Sequence, residues 1–294
     1  MFRKAKSAEP RPLLVALHTW SHTHTIAYQE YANACEQNDW NMIFPEFRGP
    51  NWTQDACGSD FVVSDIEDAV AFMKKKTNVD PNRIYLCGGS GGGHCALLMA
   101  GRRPDLWTAV SAWCPISDIA QWYKQCLGSK FKCYSENIIK SCDGNPFESP
   151  AAARECLLRS PLTWLPNAVD LPVDISTGIH DGHIGSVPVS QALNAFNVIA
   201  HDRDKISAED IEYIVKNESI PSGLAKSCRQ DPSLGRKIHF RRQSGNARIT
   251  LFEGEHECLT AAAVQWLAKQ VKGKTTDWSA GKATKIKTDS KLSG

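Results

Sequence analysis

No apolar run in this sequence is long enough to form a membrane-spanning helix. An excess of charge of one sign is missing as well. The 34 Lys and Arg residues stand against 32 Asp and Glu residues, which leaves a formal net charge of +2 on a chain of 294 residues. Such a balance gives no electrostatic reason for binding nucleic acid or an anionic membrane. We therefore expect neither as a partner.

A secretory signal is not evident in the first residues. The apolar stretch Leu13–Leu17 is too short for a signal-peptide core and lacks a small-residue cleavage site, so we interpret it as a strand. Eleven cysteines are many for a cytosolic enzyme and an odd number for a fully paired secreted one. One or two disulfides are expected within a cysteine-rich stretch if the protein is exported. The cysteines of that stretch are Cys114, Cys126, Cys133, Cys142 and Cys156. The compartment stays open.

No two cysteines have the Cys-x-x-Cys spacing of a structural zinc site. His18, His22 and His24 raise the alternative of a metal site, because neighbouring imidazoles can share an ion. No carboxylate or cysteine beside them completes a ligand set. We therefore interpret these histidines as lining the mouth of a polar site, and we expect no metal and no cofactor.

Short apolar or β-branched runs alternate with helical patterns, which is typical of an α/β protein with a mostly parallel sheet flanked by helices. The predicted strands are Leu13–Leu17, Met42–Pro45, Arg83–Cys87, Ala109–Ala112, Val173–Thr177 and Arg248–Phe252. The predicted helices are Ala27–Asn38, one beginning at Ser64 or Asp65, Gly91–Ala100 and Thr260–Val271. A turn is predicted at Asp80-Pro81-Asn82.

Two segments are too long for ordinary connections and are predicted to carry structure of their own. Residues from about 117 to 171 are rich in Trp, Tyr, Cys and Pro and are expected to form a cap insertion. Residues from about 201 to 242 form a polar excursion. We expect one catalytic domain over residues 1–271, followed by a disordered tail over 272–294 that is rich in Lys, Thr, Ser and Gly.

The strongest motif is Gly88-Gly89-Ser90-Gly91-Gly92-Gly93, between a predicted strand and a predicted helix. A serine hydroxyl is a weak nucleophile that has to be exposed and placed against a base. A sharp strand-to-helix turn gives that exposure, and its strained backbone requires glycine two positions before and after the serine. Ser90 is therefore the candidate nucleophile. The alternative, a phosphate-binding loop of the Walker type, would need a Lys-Ser or Lys-Thr pair that is absent.

A candidate acid and base follow Ser90 in the order that this fold requires, each after a predicted strand. Asp181 comes after Val173–Thr177, and His256 comes after Arg248–Phe252. In such a triad the acid orients the imidazole, which takes the proton of the serine. Asp174 is the rival acid, but it lies inside a strand and is the poorer candidate.

The oxyanion hole needs two N–H donors. Gly91 begins the helix after the nucleophile, so its N–H is free to donate. The second donor usually comes from the loop after the first strand, where the backbone of Trp20 is preferred over that of Ser21.

With these residues in place, the sequence resembles the catalytic domain of the prolyl oligopeptidase family from about Leu13 to Leu267. The motifs that carry the resemblance are Phe47-Arg48-Gly49, Asp65–Val70, Asp80–Ile84 leading into Gly88–Gly92, Ser160-Pro161-Leu162, Gly178-x-x-Asp181 and Val187-Pro188. The resemblance implies the α/β-hydrolase fold and supports Ser90, Asp181 and His256 as a triad. It implies hydrolysis of peptide or ester bonds through an acyl-serine intermediate.

The sequence departs from the family in three respects. It begins almost at the oxyanion strand, without the β-propeller, which leaves the completeness of the N-terminus open. Some members supply a tyrosine hydroxyl to the oxyanion hole where this sequence has Trp20. It also carries extra residues after Asp181, including His183. His183 and Arg48 are candidate substrate-binding residues, and for Arg48 a salt bridge within its loop is the alternative.

The substrate class stays open between peptides and small esters. A carboxylesterase or a carbohydrate esterase of the acetyl or feruloyl type is the alternative to a peptidase. A catalytically inactive binding module is disfavoured, because all three triad residue types occur in order. Four aromatic residues around the cap could form a substrate platform, although core packing is the favoured interpretation. They are Trp113, Trp122, Tyr123 and Trp164. The oligomeric state is not predicted.

Overall fold

The computed structural model describes residues 1–225 and 230–283. Their strands are β1 (Phe2–Arg3), β2 (Arg11–Leu17), β3 (Asn41–Ile43), β4 (Val79–Gly89), β5 (Ala109–Trp113), β6 (Val173–Gly178), β7 (Ile238–Ser244) and β8 (Ala247–Phe252). They form one sheet in the order β1-β3-β2-β4-β5-β6-β8-β7. The sheet is parallel except at its edges, where β1 is antiparallel to β3 and β7 is antiparallel to β8. The predicted mostly parallel sheet is confirmed.

Ten α-helices lie within the described residues. They are α1 (Tyr28–Asn38), α2 (Asp60–Lys76), α3 (Gly91–Arg102), α4 (Ile119–Leu127), α5 (Lys132–Ser141), α6 (Pro150–Arg159), α7 (Pro161–Trp164), α8 (Ser190–Ile199), α9 (Ala208–Asn217) and α10 (Thr260–Leu267). Short 3₁₀ turns lie at Pro104–Leu106, Leu165–Ala168 and Asp202–Asp204. No helix in this described part is both long enough and apolar enough to cross a bilayer.

Both faces of the sheet are buried, as the alternation along β2 shows. Leu13 and Val15 belong to an apolar cluster shared with α2, α3 and α8, whereas Leu14 and Ala16 belong to a second cluster shared with α1 and α10. Alternate side chains of a strand point to opposite faces, so a strand covered on both sides reads as a continuous apolar run. This layering leaves the carboxyl ends of the parallel strands to carry the loops of the site.

Several local features differ from the sequence expectation. The strand predicted at Met42–Pro45 ends at Ile43, and the helix predicted at Thr260–Val271 ends at Leu267. The predicted turn at Asp80-Pro81-Asn82 lies inside β4, where the pairing with β2 shifts register and the Asn82 N–H donates to Asp80 Oδ1 at 2.9 Å. Helix α2 begins one turn earlier than expected, because Ser59 rather than Ser64 caps it by accepting the Val62 N–H.

The predicted cap corresponds to the helices α4–α7, which we call the helical insertion (residues 114–171). The predicted polar excursion has structure of its own, as expected, since it contains α9 and ends in strand β7. Part of the predicted tail differs. Trp278 stacks on Trp266 with ring centroids 5.2 Å apart, and the Gly281 N–H donates to Asp231 at 2.8 Å. Residues 272–283 therefore pack on the domain, and 284–294 lie outside the described residues.

Candidate active site

Ser90 lies at the sharp turn between β4 and α3. Its backbone has φ 57° and ψ −122°, a conformation that costs free energy for any residue with a side chain. The turn is held on both sides, because the Ser90 N–H donates to Trp113 O at 2.9 Å and Ser90 O accepts the His94 N–H at 2.9 Å. The strain is therefore fixed by the surrounding structure, as the sequence motif predicted for a nucleophile.

The glycines on either side of Ser90 allow backbones to touch. A Cβ atom on Gly88 would lie 2.4 Å from Gly92 O, and a Cβ atom on Gly92 would lie 2.4 Å from Leu17 O. Neither contact is possible for a real side chain, so the first turn of α3 packs directly on β2 and β4. The spacing of two residues before and after the serine thus has a steric cause.

Asp181 and His256 meet across the loops that follow β6 and β8. The His256 Nδ1–H donates to Asp181 Oδ2 at 2.7 Å, and both residues are buried. Asp181 is also fixed by its own loop, since Oδ1 accepts the N–H groups of Gly182 at 3.0 Å and Val187 at 3.2 Å. The carboxylate is held in one orientation, which sets the tautomer of the imidazole.

The other ring nitrogen of His256 is available. His256 Nε2 is buried and has no hydrogen-bond partner within residues 1–225 and 230–283. Burial by itself would lower the pKa of His256, but the Asp181 carboxylate raises it above its ordinary value by stabilising the charged ring. A neutral His256 with its proton on Nδ1 is therefore an acceptor at Nε2 and a stronger base than free imidazole.

The same edge of the sheet carries Ser90 and His256, but no hydrogen bond joins Ser90 Oγ and His256 Nε2 among the described residues. Catalytic hydrogen bonds are often long or misaligned before substrate binds. The order β4-β5-β6-β8 places the two loops three strands apart at the carboxyl edge. The structure brings the candidate acid and the candidate base together, and the step from serine to base remains a prediction.

Cys114 lies against these two loops, although the sequence analysis considered it only as one of the cysteines of the cysteine-rich stretch. Sγ of Cys114 and donor atoms of Asp181 and His256 all lie within 4.8 Å of one another. Cys114 has a positive φ of 44°, and its thiol donates to Glu257 O at 3.3 Å. Burial raises the pKa of this thiol, so it stays protonated beside the imidazole. Its position directly after β5 is the signal that could have indicated it.

The oxyanion-hole candidates are adjacent. A Cβ atom on Gly91 would lie 2.5 Å from both N and Cα of Trp20, so the two backbones are in direct contact. The Trp20 indole points elsewhere. It donates to Asn137 Oδ1 at 3.2 Å and packs against Trp122 with ring centroids 4.7 Å apart. Only the backbone of Trp20 is thus placed to act with Gly91.

Within the described residues, the histidines of the Trp20 loop do not form a group of metal ligands. Both ring nitrogens of His18 lie against backbone carbonyls, at 2.9 Å from Thr19 O and 2.7 Å from Glu46 O. His24 pairs with the Glu46 carboxylate. Among the described residues, the group of potential metal donors is Cys114, Asp181 and His256. Asp181 and His256 already bond each other there, which fits acid–base chemistry.

The two candidate substrate-binding side chains are engaged in other contacts. Arg48 forms a bidentate pair with Asp65, at 2.8 and 2.9 Å, which fits the salt-bridge alternative. His183 Nε2 lies 2.5 Å from Val215 O, on the side of α9. A role for either in substrate binding stays a prediction.

Comparison with known proteins identifies the family. The profile described as "Prolyl oligopeptidase family" matches residues 47–202, just over half of the chain, including Ser90 and Asp181. The chain belongs to the prolyl oligopeptidase family. This confirms the resemblance read from the motifs and the predicted class, a serine hydrolase. His256 and Trp20 lie outside the matched residues, so their assignment depends on the geometry above.

A curated relative and solved structures agree with this membership. "Acylamino-acid-releasing enzyme 1" of Oryza sativa subsp. japonica is 26% identical over an alignment of 200 residues, which covers 61% of this chain and 26% of the relative. The chain thus matches about a quarter of that protein's length. The Pyrococcus horikoshii acylaminoacyl peptidase structure has a TM-score of 0.59 at 14% identity, covering 95% of this chain and 40% of that one. The Staphylococcus aureus fluorophosphonate-binding serine hydrolase F has a TM-score of 0.52 at 13% identity, covering 89% and 85%. These likenesses confirm the α/β-hydrolase fold.

Proposed function

We propose that this chain hydrolyses peptide or ester bonds through an acyl intermediate on Ser90. The observation that carries the proposal is the buried His256–Asp181 pair, 2.7 Å apart, whose free Nε2 stands at the sheet edge that also presents the strained Ser90. An imidazole that has one nitrogen hydrogen-bonded to a carboxylate and the other without a partner can act as a general base, because the second nitrogen can accept a proton.

The reaction proceeds in two halves. Ser90 Oγ attacks the substrate carbonyl carbon while its proton passes to His256 Nε2. The oxyanion of the tetrahedral intermediate accepts hydrogen bonds from the backbone N–H groups of Gly91 and Trp20. His256 then protonates the leaving amine or alcohol, and the acyl group remains on Ser90. Water, activated by the same imidazole, releases the acid product. Asp181 stabilises the imidazolium each time it forms.

The substrate class that we favour is a peptide with an acylated N-terminal residue. The curated relative bears the name of an acylamino-acid-releasing enzyme, and the first solved structure compared is an acylaminoacyl peptidase. An ester is the second candidate, because the same acyl transfer to Ser90 can cleave esters as well as amides.

A fluorophosphonate probe tests the nucleophile. The protein is expected to be labelled, and Ser90→Ala is expected to abolish the labelling while the fold persists, because alanine is compatible with the space that Ser90 occupies. Unchanged labelling of Ser90→Ala would refute the assignment.

A substrate panel tests the specificity. Nitroanilides of N-acetylated amino acids, their unacylated counterparts, short-chain nitrophenyl esters and acetylated sugars are compared by kcat/KM. Preference for the acylated amides over the free amines supports the peptidase proposal. Turnover confined to esters or acetylated sugars would overturn it in favour of the esterase and would leave the Ser90 assignment standing.

A further inference from the structure

Three buried thiols meet where the helical insertion contacts the loop before α2. Cys57 lies in that loop, Cys142 directly follows α5, and Cys156 lies within α6. Their relative exposures are 0%, 1% and 0%. All three belong to one apolar cluster, which also contains Ile119 and Ile138. They lie apart from the triad and have no part in the reaction described above.

The three thiols form a row with Cys142 in the middle. The Cys142 thiol interacts with the thiols of both Cys57 and Cys156. In the described part of the chain, however, the three sulfur atoms do not all lie within 4.8 Å of one another. A row of this kind suits pairwise chemistry between sulfur atoms better than a shared four-coordinate ion. None of the ten described cysteines forms a disulfide in this structure.

Hydrogen bonds between side chains and the backbone tie the insertion to the loop beside the row. Ser141 Oγ donates to Asn51 O at 2.9 Å, and Asn51 Oδ1 accepts the Cys57 N–H at 2.8 Å. Arg159, at the end of α6, donates to Ala56 O at 2.7 Å. The insertion and the loop are therefore tied on both sides of the thiols, which keeps the sulfur atoms near one another.

Cys142 is also the member of the row that lies at the wall of a cleft. It lines a cleft of about 530 Å³ together with Gln54, Arg154 and Arg159, whereas neither Cys57 nor Cys156 lines that cleft. Hydrogen bonds from the two flanking thiols, and the charge of Arg159, lower the pKa of Cys142. Interaction with Cys142, together with burial, raises the pKa of Cys57. A thiolate attacks disulfides far faster than a thiol.

We propose that Cys142 is the nucleophile of a disulfide-forming site, in which it pairs with either Cys57 or Cys156. With oxidised glutathione as the oxidant, the Cys142 thiolate attacks one glutathione sulfur, forms a mixed disulfide and releases one glutathione thiolate. Cys57 or Cys156 then loses its proton and attacks Cys142 Sγ, which expels the second glutathione. The protein loses two thiol protons and two electrons, and oxidised glutathione becomes two molecules of reduced glutathione.

The two outcomes differ in what they connect. A Cys142–Cys156 bond joins neighbouring helices of the insertion. A Cys57–Cys142 bond ties the insertion to the loop whose Asn51 N–H donates to Trp20 O at 2.9 Å. The second bond therefore fixes the insertion to the segment that supports the oxyanion-hole candidate.

Peptide mapping tests the proposal without any mutation, because trypsin separates the three cysteines. Cys57 lies in peptide 49–74, Cys142 in 141–154 and Cys156 in 155–159. Native protein is treated with oxidised glutathione, free thiols are alkylated, and the digest is analysed unreduced. We expect 141–154 to be crosslinked to 49–74 or to 155–159. Recovery of 141–154 fully alkylated, or crosslinked to any other cysteine, would overturn the proposal.

Two variants and one control sharpen the result. In Cys57→Ala only the crosslink between Cys142 and Cys156 should form. In Cys156→Ala only the crosslink between Cys57 and Cys142 should form. The double variant should retain glutathione on Cys142. Cys126→Ala is the matched control, since Cys126 is buried in the same cluster but is not one of the row, and it should not change the pattern. A 57–156 crosslink in Cys142→Ala at the wild-type rate would contradict the central role of Cys142.

Discussion

Strands β6 and β8 carry two buried ion pairs that differ in where they lie along the strands. Asp174 and Arg248 are paired in register within the sheet, and the guanidinium makes a bidentate contact at 2.8 and 3.0 Å. Asp181 and His256 lie beyond the strand ends and meet at 2.7 Å. All four side chains are nearly inaccessible, with relative exposures of 0% to 6%.

The two pairs differ in whether the cation can lose its proton. The Arg248 guanidinium lies over the rings of Trp278 and Trp266, at 4.9 and 5.8 Å, and keeps its charge at every accessible pH. The His256 imidazole can lose its proton and has one nitrogen without a partner. We therefore expect the pair within the sheet to be structural and the pair at the carboxyl edge to take part in the chemistry.

The largest effect is expected from replacing the base. His256→Gln removes the proton acceptor, and kcat should fall by roughly 10⁵- to 10⁶-fold, as for the loss of a triad base elsewhere. Thermal unfolding should change far less than activity. Steady-state kinetics with the best substrate of the panel, beside a melting curve, measure both. A loss of less than a factor of ten would show that another group takes the serine proton.

Removing the acid should have a smaller effect, with a pH signature. Asp181→Asn no longer stabilises the charged imidazole, and kcat/KM should fall by about 10⁴-fold. Activity requires neutral His256, so the rate rises as pH rises through the His256 pKa. Asp181 holds this pKa above its ordinary value, and burial alone would lower it. The rising limb of the pH–rate profile should therefore move to lower pH in Asp181→Asn. A limb that stays in place would contradict the pairing.

Breaking the Asp174–Arg248 pair should have the opposite effect, because it should lower stability and leave activity unchanged. Arg248→Met removes the bidentate partner of the buried Asp174, and the free energy of unfolding should fall by about 3–5 kcal/mol. Activity per folded molecule should be kept, because neither residue touches the triad. The double variant Asp174→Leu with Arg248→Met serves as the control and should recover part of the lost stability. A selective loss of kcat in folded Arg248→Met would show that the two pairs are not independent.

The smallest effect is expected at Cys114. Cys114→Ala removes a thiol that contacts His256 but has no step in the proposed mechanism, so stability should fall by about 1 kcal/mol. The rate should stay far above that of Asp181→Asn in a parallel assay. A rate as low as that of Asp181→Asn would make Cys114 part of the catalytic machinery.

These two pairs also differ in how well the sequence predicts them. The placement of Ser90, Asp181 and His256 at one edge of the sheet could be predicted, because each follows a recognisable strand and the carboxyl ends of parallel strands share one edge. The partner of Asp174 could not, since it depends on the register between β6 and β8, which lie 74 residues apart in the chain. The contact of Cys114 with the imidazole and the packing of Trp278 on Trp266 likewise depend on tertiary proximity.

The central claim is that His256 Nε2 takes the proton of Ser90 Oγ. The most direct measurement is the rate of fluorophosphonate attachment as a function of pH, with the adduct mapped by mass spectrometry to the tryptic peptide 84–102, in wild type and in His256→Gln. The account predicts an adduct on Ser90 that forms faster as His256 loses its proton, and almost no adduct in His256→Gln. Equal labelling of both proteins, or an adduct on another residue, would contradict it.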